Sequence, residues 1–270
     1  MTEELVERLL AGNKRALARA LTHVENRTPE GYEILRLVYP KTGRARIIGI
    51  TGPAGSGKST LSSALAREER RRGRSVGIVA VDPSSPFSHG ALLGDRIRMQ
   101  DLAGDPGVFV RSMATRGALG GLAETAGDIA SVLDAAGHDV IILETVGAGQ
   151  DEVDVAGMAQ TTVVVNTPGM GDAVQALKAG ILEIADILVV NKADRPSADA
   201  LVAELEGMLG LSPDSSYQPP VLRTVATTGE GIVDLADAID EHHARLAESG
   251  DLHRVRLGRA RQEVLDAARM

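Results

Sequence analysis

The residues with the most explicit chemistry run from Gly52 to Thr60, Gly-Pro-Ala-Gly-Ser-Gly-Lys-Ser-Thr. Glycines at this spacing let backbone N–H groups turn inward around a phosphate chain, and a helix opening at the end of the loop adds its positive N-terminal end. Lys58 is then placed to reach β- and γ-phosphates, and the Ser59 hydroxyl to ligate Mg²⁺. Gly55, Ser56, Gly57, Lys58, Ser59 and Thr60 are therefore candidate nucleotide-binding residues, provided that a strand leads in and a helix leads out. Ile47, Ile48 and Ile50 supply the first, and Leu61, Leu65 and the alanines 64 and 66 carry helical spacing for the second.

Three further positions stand at the ends of apolar runs. The run Val76 to Val81 ends at Asp82, which the carboxyl-end rule for parallel sheets places near the phosphates. Val140 to Leu143 ends in Glu144-Thr-Val-Gly147, the form of an Mg²⁺-supporting loop that senses a γ-phosphate. Ile187 to Val190 opens onto Asn191-Lys192-Ala193-Asp194. A carboxylate there accepts two hydrogen bonds from guanine N1–H and the exocyclic amine, a pairing adenine cannot return, so Asn191, Lys192 and Asp194 point to guanine. A last strand, Val221 to Ala226, leads into Thr227-Thr-Gly-Glu-Gly231, whose backbone N–H groups, from Ala226 and Thr227 onward, are expected to face the base.

The elements that must hold these residues read as an α/β chain. Residues 1–43 are a helical extension, interrupted at Gly12-Asn13 and restarted at Thr28-Pro29; residues 44–247 are the P-loop domain; residues 248–270 are a short helical tail. Strand, helix, strand around the phosphate loop is a βαβ unit, so the central sheet is expected to be mostly parallel and flanked by helices. The segment 83–105, with Gly94-Asp95-Arg96 at its centre, is too long and polar to be a plain connection. The basic cluster in Arg67 to Gly73 reads as a solvated last helical turn complementing the helix dipole.

Composition narrows the function. Net charge is −8, against a nucleic-acid partner, and aromatics make up only 2%. There is no cysteine, which excludes disulfides, thiolate metal sites and a cysteine nucleophile. No apolar run approaches the roughly 18 residues that span a bilayer, so a cytoplasmic chain without a membrane partner is expected. Of 29 basic residues five are lysine, at 14, 41, 58, 178 and 192. A compact ammonium suits a phosphate in a tight loop better than a planar guanidinium.

Together these motifs resemble the MeaB/ArgK family of P-loop GTPases, chaperones of adenosylcobalamin-dependent acyl-CoA mutases. The resemblance covers residues 5–245 and rests on VDPSSPF (81–87), LLGDRIRM (92–99), ATRGALGGLA (114–123), ETVGAGQ (144–150), TPGMGD (167–172) and NKAD (191–194). It implies GTP/GDP and Mg²⁺ as ligands, with Asp82, Asp95 and Glu144 beside Ser59 supporting the metal and the switch regions. Residues 167–178, ending in Lys178, match the family's additional switch loop. His89 and Ala118 depart from the family pattern. A homodimer is left open, because the family has a longer C-terminal dimerisation arm than the residues up to Met270 supply.

The catalytic expectation is in-line attack of water on GTP, with Lys58 and Glu144 stabilising the site. Ala148 follows Gly147 where many signalling GTPases carry a water-orienting glutamine, so turnover is expected to be slow alone. Gln150, Lys178 or a residue of the partner would complete the site, and a methylmalonyl-CoA mutase or a close relative would stimulate it. The alternatives are a GTPase metallochaperone, which should show a Cys/His ligand cluster, a P-loop kinase using Asp82 as base, and a nucleotide-locked scaffold without turnover.

Overall fold

The last five residues of the strand β1 (Arg46–Thr51) are all buried, as is every residue of β4 (Val140–Glu144), β5 (Thr161–Asn166) and β6 (Ile187–Asn191). Continuous apolar burial of this kind marks strands covered on both faces. With β2 (Val76–Asp82), β3 (Val108–Ala114) and β7 (Val221–Thr224) they form one seven-stranded sheet in the order β3-β2-β4-β1-β5-β6-β7, every pair parallel. The structure is a computed structural model and describes residues 1–82, 102, 104–114, 121–145, 157–169, 181–210 and 217–252. Asp95, Gln150 and Lys178 lie outside the described residues, and Asp82 is placed by its backbone alone, as the last residue of β2.

Alternation along each strand sorts the helices. Ile47, Val79, Val81, Ile141 and Leu143 face a core shared with α1 (Thr2–Leu10), α2 (Lys14–Glu25), α3 (Pro29–Val38) and α5 (Gly121–Ala135). Their strand neighbours Ile48, Ile50, Ile78, Ile142, Val163 and Val165 face α4 (Lys58–Arg71) and α7 (Ile232–Ser249). A smaller cluster joins Val164, Leu188 and Val190 to α6 (Ala198–Leu209). The first three helices thus bury Leu9, Leu17, Leu21 and Ile34 against the same core as β2 and β4.

Local chemistry explains the breaks in that helical layer. Gly12 takes φ +82°, and Asn13 Oδ1 accepts from Ala16 N at 2.9 Å to start α2. Thr28 Oγ1 accepts from Gly31 N at 3.1 Å to start α3, with Pro29 in its first turn. Such caps contribute about 1 kcal/mol each. From α5, buried Asp134 accepts from the N–H groups of Gly43 at 2.6 Å, Arg44 at 3.2 Å and Ala45 at 3.0 Å, fixing the turn that feeds β1.

The structure differs from the sequence expectation at two places. The basic end of α4 is an ion-pair network rather than a solvated turn. Arg72 meets Glu68 at 2.8 Å, Asp237 at 2.7 Å and Asp240 at 3.1 Å, while Arg74 meets Glu69 at 2.5 Å and Asp240 at 2.9 Å. Arg46 of β1 also pairs with Asp240. Glu68 and Glu69 are local, whereas Asp237 and Asp240 belong to α7, so part of the neutralisation comes from a helix far away in sequence. The carboxyl of Glu68 is held down to about 2 by the guanidinium of Arg71 first, against the opposing effect of burial, with Arg72 adding to it. The last strand is shorter than Val221 to Ala226: it ends at Thr224, because the next backbone groups leave the sheet. Val225 bridges Glu230, and Ala226 N donates to Asn191 Oδ1 at 3.2 Å.

Among the described residues no helix is long and apolar enough to cross a membrane. The adjacent histidines 242 and 243 begin no metal site visible among those residues: buried His242 contacts Thr161 Oγ1 through Nδ1 at 2.9 Å and Asp186 through Nε2 at 3.3 Å.

Candidate functional site

β1 lies between β4 and β5, with the chain moving outward to β2 on one side and to β6 on the other. Ligand clefts of parallel sheets form beyond the carboxyl ends of strands at such a switch point. A cavity of about 390 Å³ opens there, lined by Gly55, Gly57, Lys58, Ser59, Thr60, Glu144, Thr145 and Lys192 among others.

The loop 52–57 reaches this cleft through conformations that a side chain would obstruct. Gly52 has φ +136°, and a Cβ on it would stand 2.1 Å from the Val165 carbonyl oxygen of β5. Gly57 has φ +95°, and its Cβ would meet Asn191 Nδ2 at 2.4 Å. Glycine at both places lets the loop press against β5 and β6. α4 begins directly at Lys58, so its first-turn N–H groups and dipole point into the cleft.

Two charged groups and a hydroxyl converge there. Lys58 is buried, and its Nζ donates to the carbonyls of Gly52 at 2.7 Å and Pro53 at 3.0 Å. Ser59 Oγ donates to Glu144 Oε1 at 2.5 Å, bringing α4 and the end of β4 together. Both are buried oxygen donors of the hard type that Mg²⁺ prefers, so the pair fits that ion.

The second half of the cleft is built around Asn191. Its Nδ2 donates to Ser56 O at 2.9 Å, and its Oδ1 accepts from Thr224 Oγ1 at 3.1 Å and Ala226 N at 3.2 Å. One side chain thus ties the phosphate loop, β6 and the loop after β7. Lys192 adopts φ +59°, a conformation uncommon for a side-chain-bearing residue, and its Nζ donates to Gly55 O at 2.7 Å. Asp194 is exposed beyond this turn, and Thr227 is exposed on the neighbouring loop.

The structure therefore brings Gly55 to Thr60, Glu144, Asn191 and Lys192 to one cleft. Thr224, fully buried beneath Asn191, joins them, though sequence alone marks it only as part of a strand. Its only sequence signal is a hydroxyl ending the short strand Val221-Leu222-Arg223-Thr224.

Residues 17–269 match the model of the family described as methylmalonyl Co-A mutase-associated GTPase MeaB. The chain belongs to the MeaB family. A Pyrococcus abyssi protein named as a GTPase is 54% identical over 98% of this chain and 83% of its own length. GTPase ArgK of Escherichia coli is 37% identical over 94% of this chain and 79% of its own. The crystal structure of a protein named LAO/AO transport system kinase matches with a TM-score of 0.83 at 30% identity, over 99% of this chain and 83% of that one. This MeaB-family chain is a P-loop GTPase that binds guanine nucleotide and hydrolyses GTP.

Proposed function

We propose that this GTPase is a switch chaperone for an adenosylcobalamin-dependent acyl-CoA mutase, methylmalonyl-CoA mutase or a close relative, gating loading or protection of its cofactor. The observation that carries the nucleotide half is the convergence of Ser59 with Glu144 and of Asn191 with Ser56 across one cleft. The partner half is supported by the family description, which names a methylmalonyl-CoA mutase-associated GTPase.

In this reading the backbone of Gly55 to Thr60 cradles the phosphates, and Lys58 turns its ammonium from the Gly52 and Pro53 carbonyls to the β- and γ-phosphates. Asp194 pairs with the guanine N1–H and amine, with Lys192 alongside and Asn191 keeping the base loop in register with the phosphate loop. Ala226 and Thr227 border the base. Ser59, with Glu144, Asp82 and Asp95, would hold Mg²⁺, which when bound supplies charge neutralisation for the transferring phosphoryl group. Glu144 accepts a hydrogen bond from the Ser59 hydroxyl, which turns the hydroxyl lone pairs toward the cleft. Gln150, Lys178 or a group of the mutase completes the orientation of the attacking water, so turnover is slow alone. The nucleotide state is the signal, read by the segments that follow β2, β4 and β5 in the chain.

Titrating an adenosylcobalamin-dependent acyl-CoA mutase into a GTP turnover assay tests the partner. A saturable rise of about tenfold or more is expected; turnover that ignores every such mutase from the same source removes the partner assignment and leaves the GTPase.

A further inference from the structure

Two buried hydroxyls stand where the phosphate loop and the Glu144 segment part. β1 and β4 run in parallel register with Ile50 opposite Glu144. One step further on, Thr145 N donates to Ile50 O at 3.1 Å, and Thr145 Oγ1 donates to Thr51 Oγ1 at 3.1 Å. Thr51 and Thr145 are 0% and 1% exposed. Immediately after Thr51 the chain turns at Gly52 into the loop that leads to Lys58 and Ser59 at the start of α4, whereas the residue before Thr145 is Glu144. The hydroxyl pair thus sits at the fork between the two arms that meet again at the Ser59–Glu144 hydrogen bond.

We propose that Thr51 and Thr145 are positioning residues for GTP hydrolysis, whose hydroxyl contact sets the spacing at which Glu144 reaches Ser59. The inference rests on the reading of Ser59 and Glu144 as the Mg²⁺ site. Burial alone gives no reason for threonine here, since the neighbouring core positions of β1 and β4 are Ile48, Ile50, Ile142 and Leu143. Valine has the same shape and favours strands as well. What valine cannot do is approach as closely. Two hydroxyl oxygens rest at 3.1 Å, whereas two methyl carbons in their places settle at about 3.5–4.0 Å. A valine pair would keep the core filled and open the fork by roughly half an ångström. Errors of about 1 Å in a reacting constellation can cost on the order of 10²-fold.

The hydrogen-bond arithmetic separates positioning from packing. Replacing one threonine strands a buried hydroxyl, whereas replacing both removes donor and acceptor together and can be nearly neutral for stability. Thr51→Val, Thr145→Val and the double variant would be compared with the wild-type chain by urea unfolding and by GTP turnover at varied Mg²⁺. The single variants are expected to be less stable and the double variant to recover most of the loss. The double variant is nevertheless expected to show kcat about five- to tenfold lower and a several-fold higher Mg²⁺ requirement, with KM for GTP changed less than twofold. Wild-type turnover and Mg²⁺ requirement in a folded double variant would overturn the inference. Should the double variant not fold, Thr145→Ser against Thr145→Ala decides: the serine must keep the wild-type Mg²⁺ requirement and the alanine raise it, and equal requirements overturn the inference. The underlying site reading fails separately, if Glu144→Gln leaves the Mg²⁺ requirement unchanged. A Glu144→Gln effect with no valine effect sinks only the role of the threonines.

Discussion

Ser59 Oγ donates to Glu144 Oε1 over 2.5 Å, so the first turn of the helix after the phosphate loop is joined to the end of the strand beside it. The two groups come from elements that share no local sequence, and both are buried. Their meeting follows from parallel pairing of β1 with β4, which carries both arms to the same edge of the sheet.

From that contact the role of Glu144 can be tested without disturbing shape. Glu144→Gln keeps volume and loses charge, and partners that orient metal ligands typically contribute 10–100-fold in metal affinity. The Mg²⁺ concentration for half-maximal GTP turnover should rise by about that factor, measured at saturating GTP. An unchanged Mg²⁺ requirement would place the metal elsewhere.

The base preference should be convertible at Asp194. A carboxylate accepts from guanine N1–H and amine; an amide offers one donor and one acceptor, which suits xanthine, where a carbonyl replaces the amine. Asp194→Asn should weaken GTP by about 10²-fold or more while improving binding of xanthosine triphosphate. Competition binding with the two nucleotides reads this directly, and parallel losses for both would remove Asp194 from the base site.

Asp240 is the hub that joins Arg46, Arg72 and Arg74. Burial works against its ionised form, but the three guanidiniums outweigh that and hold its carboxyl below the usual range. Asp240→Ala should cost about 1–3 kcal/mol in urea unfolding, because it leaves partly buried cations without their shared partner. Asp237→Ala removes an exposed carboxylate from Arg72 alone and should cost under about 1 kcal/mol.

Burial pushes His138 down to about 4, with Lys14 adding to the effect and Asp139 opposing it. The unfolded chain takes up this proton near pH 6.5, so between about 6.5 and 4 it binds more protons than the folded chain. Stability from this group is therefore complete above about pH 6.5 and declines as pH falls toward 4, by up to about 3 kcal/mol. His138→Phe should flatten that part of the stability profile in urea titrations at pH 4–7. An unaltered slope would mean that other groups set it.

Much of the site was legible because its determinants are local. Glycines at 52, 55 and 57, the lysine after them and the apolar run before them specify strand, loop and helix with no long-range knowledge. Asn13 and Thr28 announced their helix starts in the same way. What local pattern could not supply was partnership. The basic end of α4 read as solvated because two of the carboxylates that meet Arg72 and Arg74, those of Asp237 and Asp240, arrive from α7. β7 stopped at Thr224 because Asn191, on a different strand, takes the Ala226 N–H. Nothing local pairs Thr51 with Thr145: the register of β1 and β4 brings the end of one and the residue after the other side by side.

In the proposed site one cleft reads guanine through residues 191–194 and phosphate through residues 52–60. Equilibrium binding of GTP against ATP with Mg²⁺ present tests it most directly, with Lys58→Ala as the phosphate control. GTP should be favoured by at least about 10²-fold, and Lys58→Ala should weaken both nucleotides. Equal affinity for GTP and ATP would contradict the guanine assignment, and tight binding that survives Lys58→Ala would contradict the phosphate one.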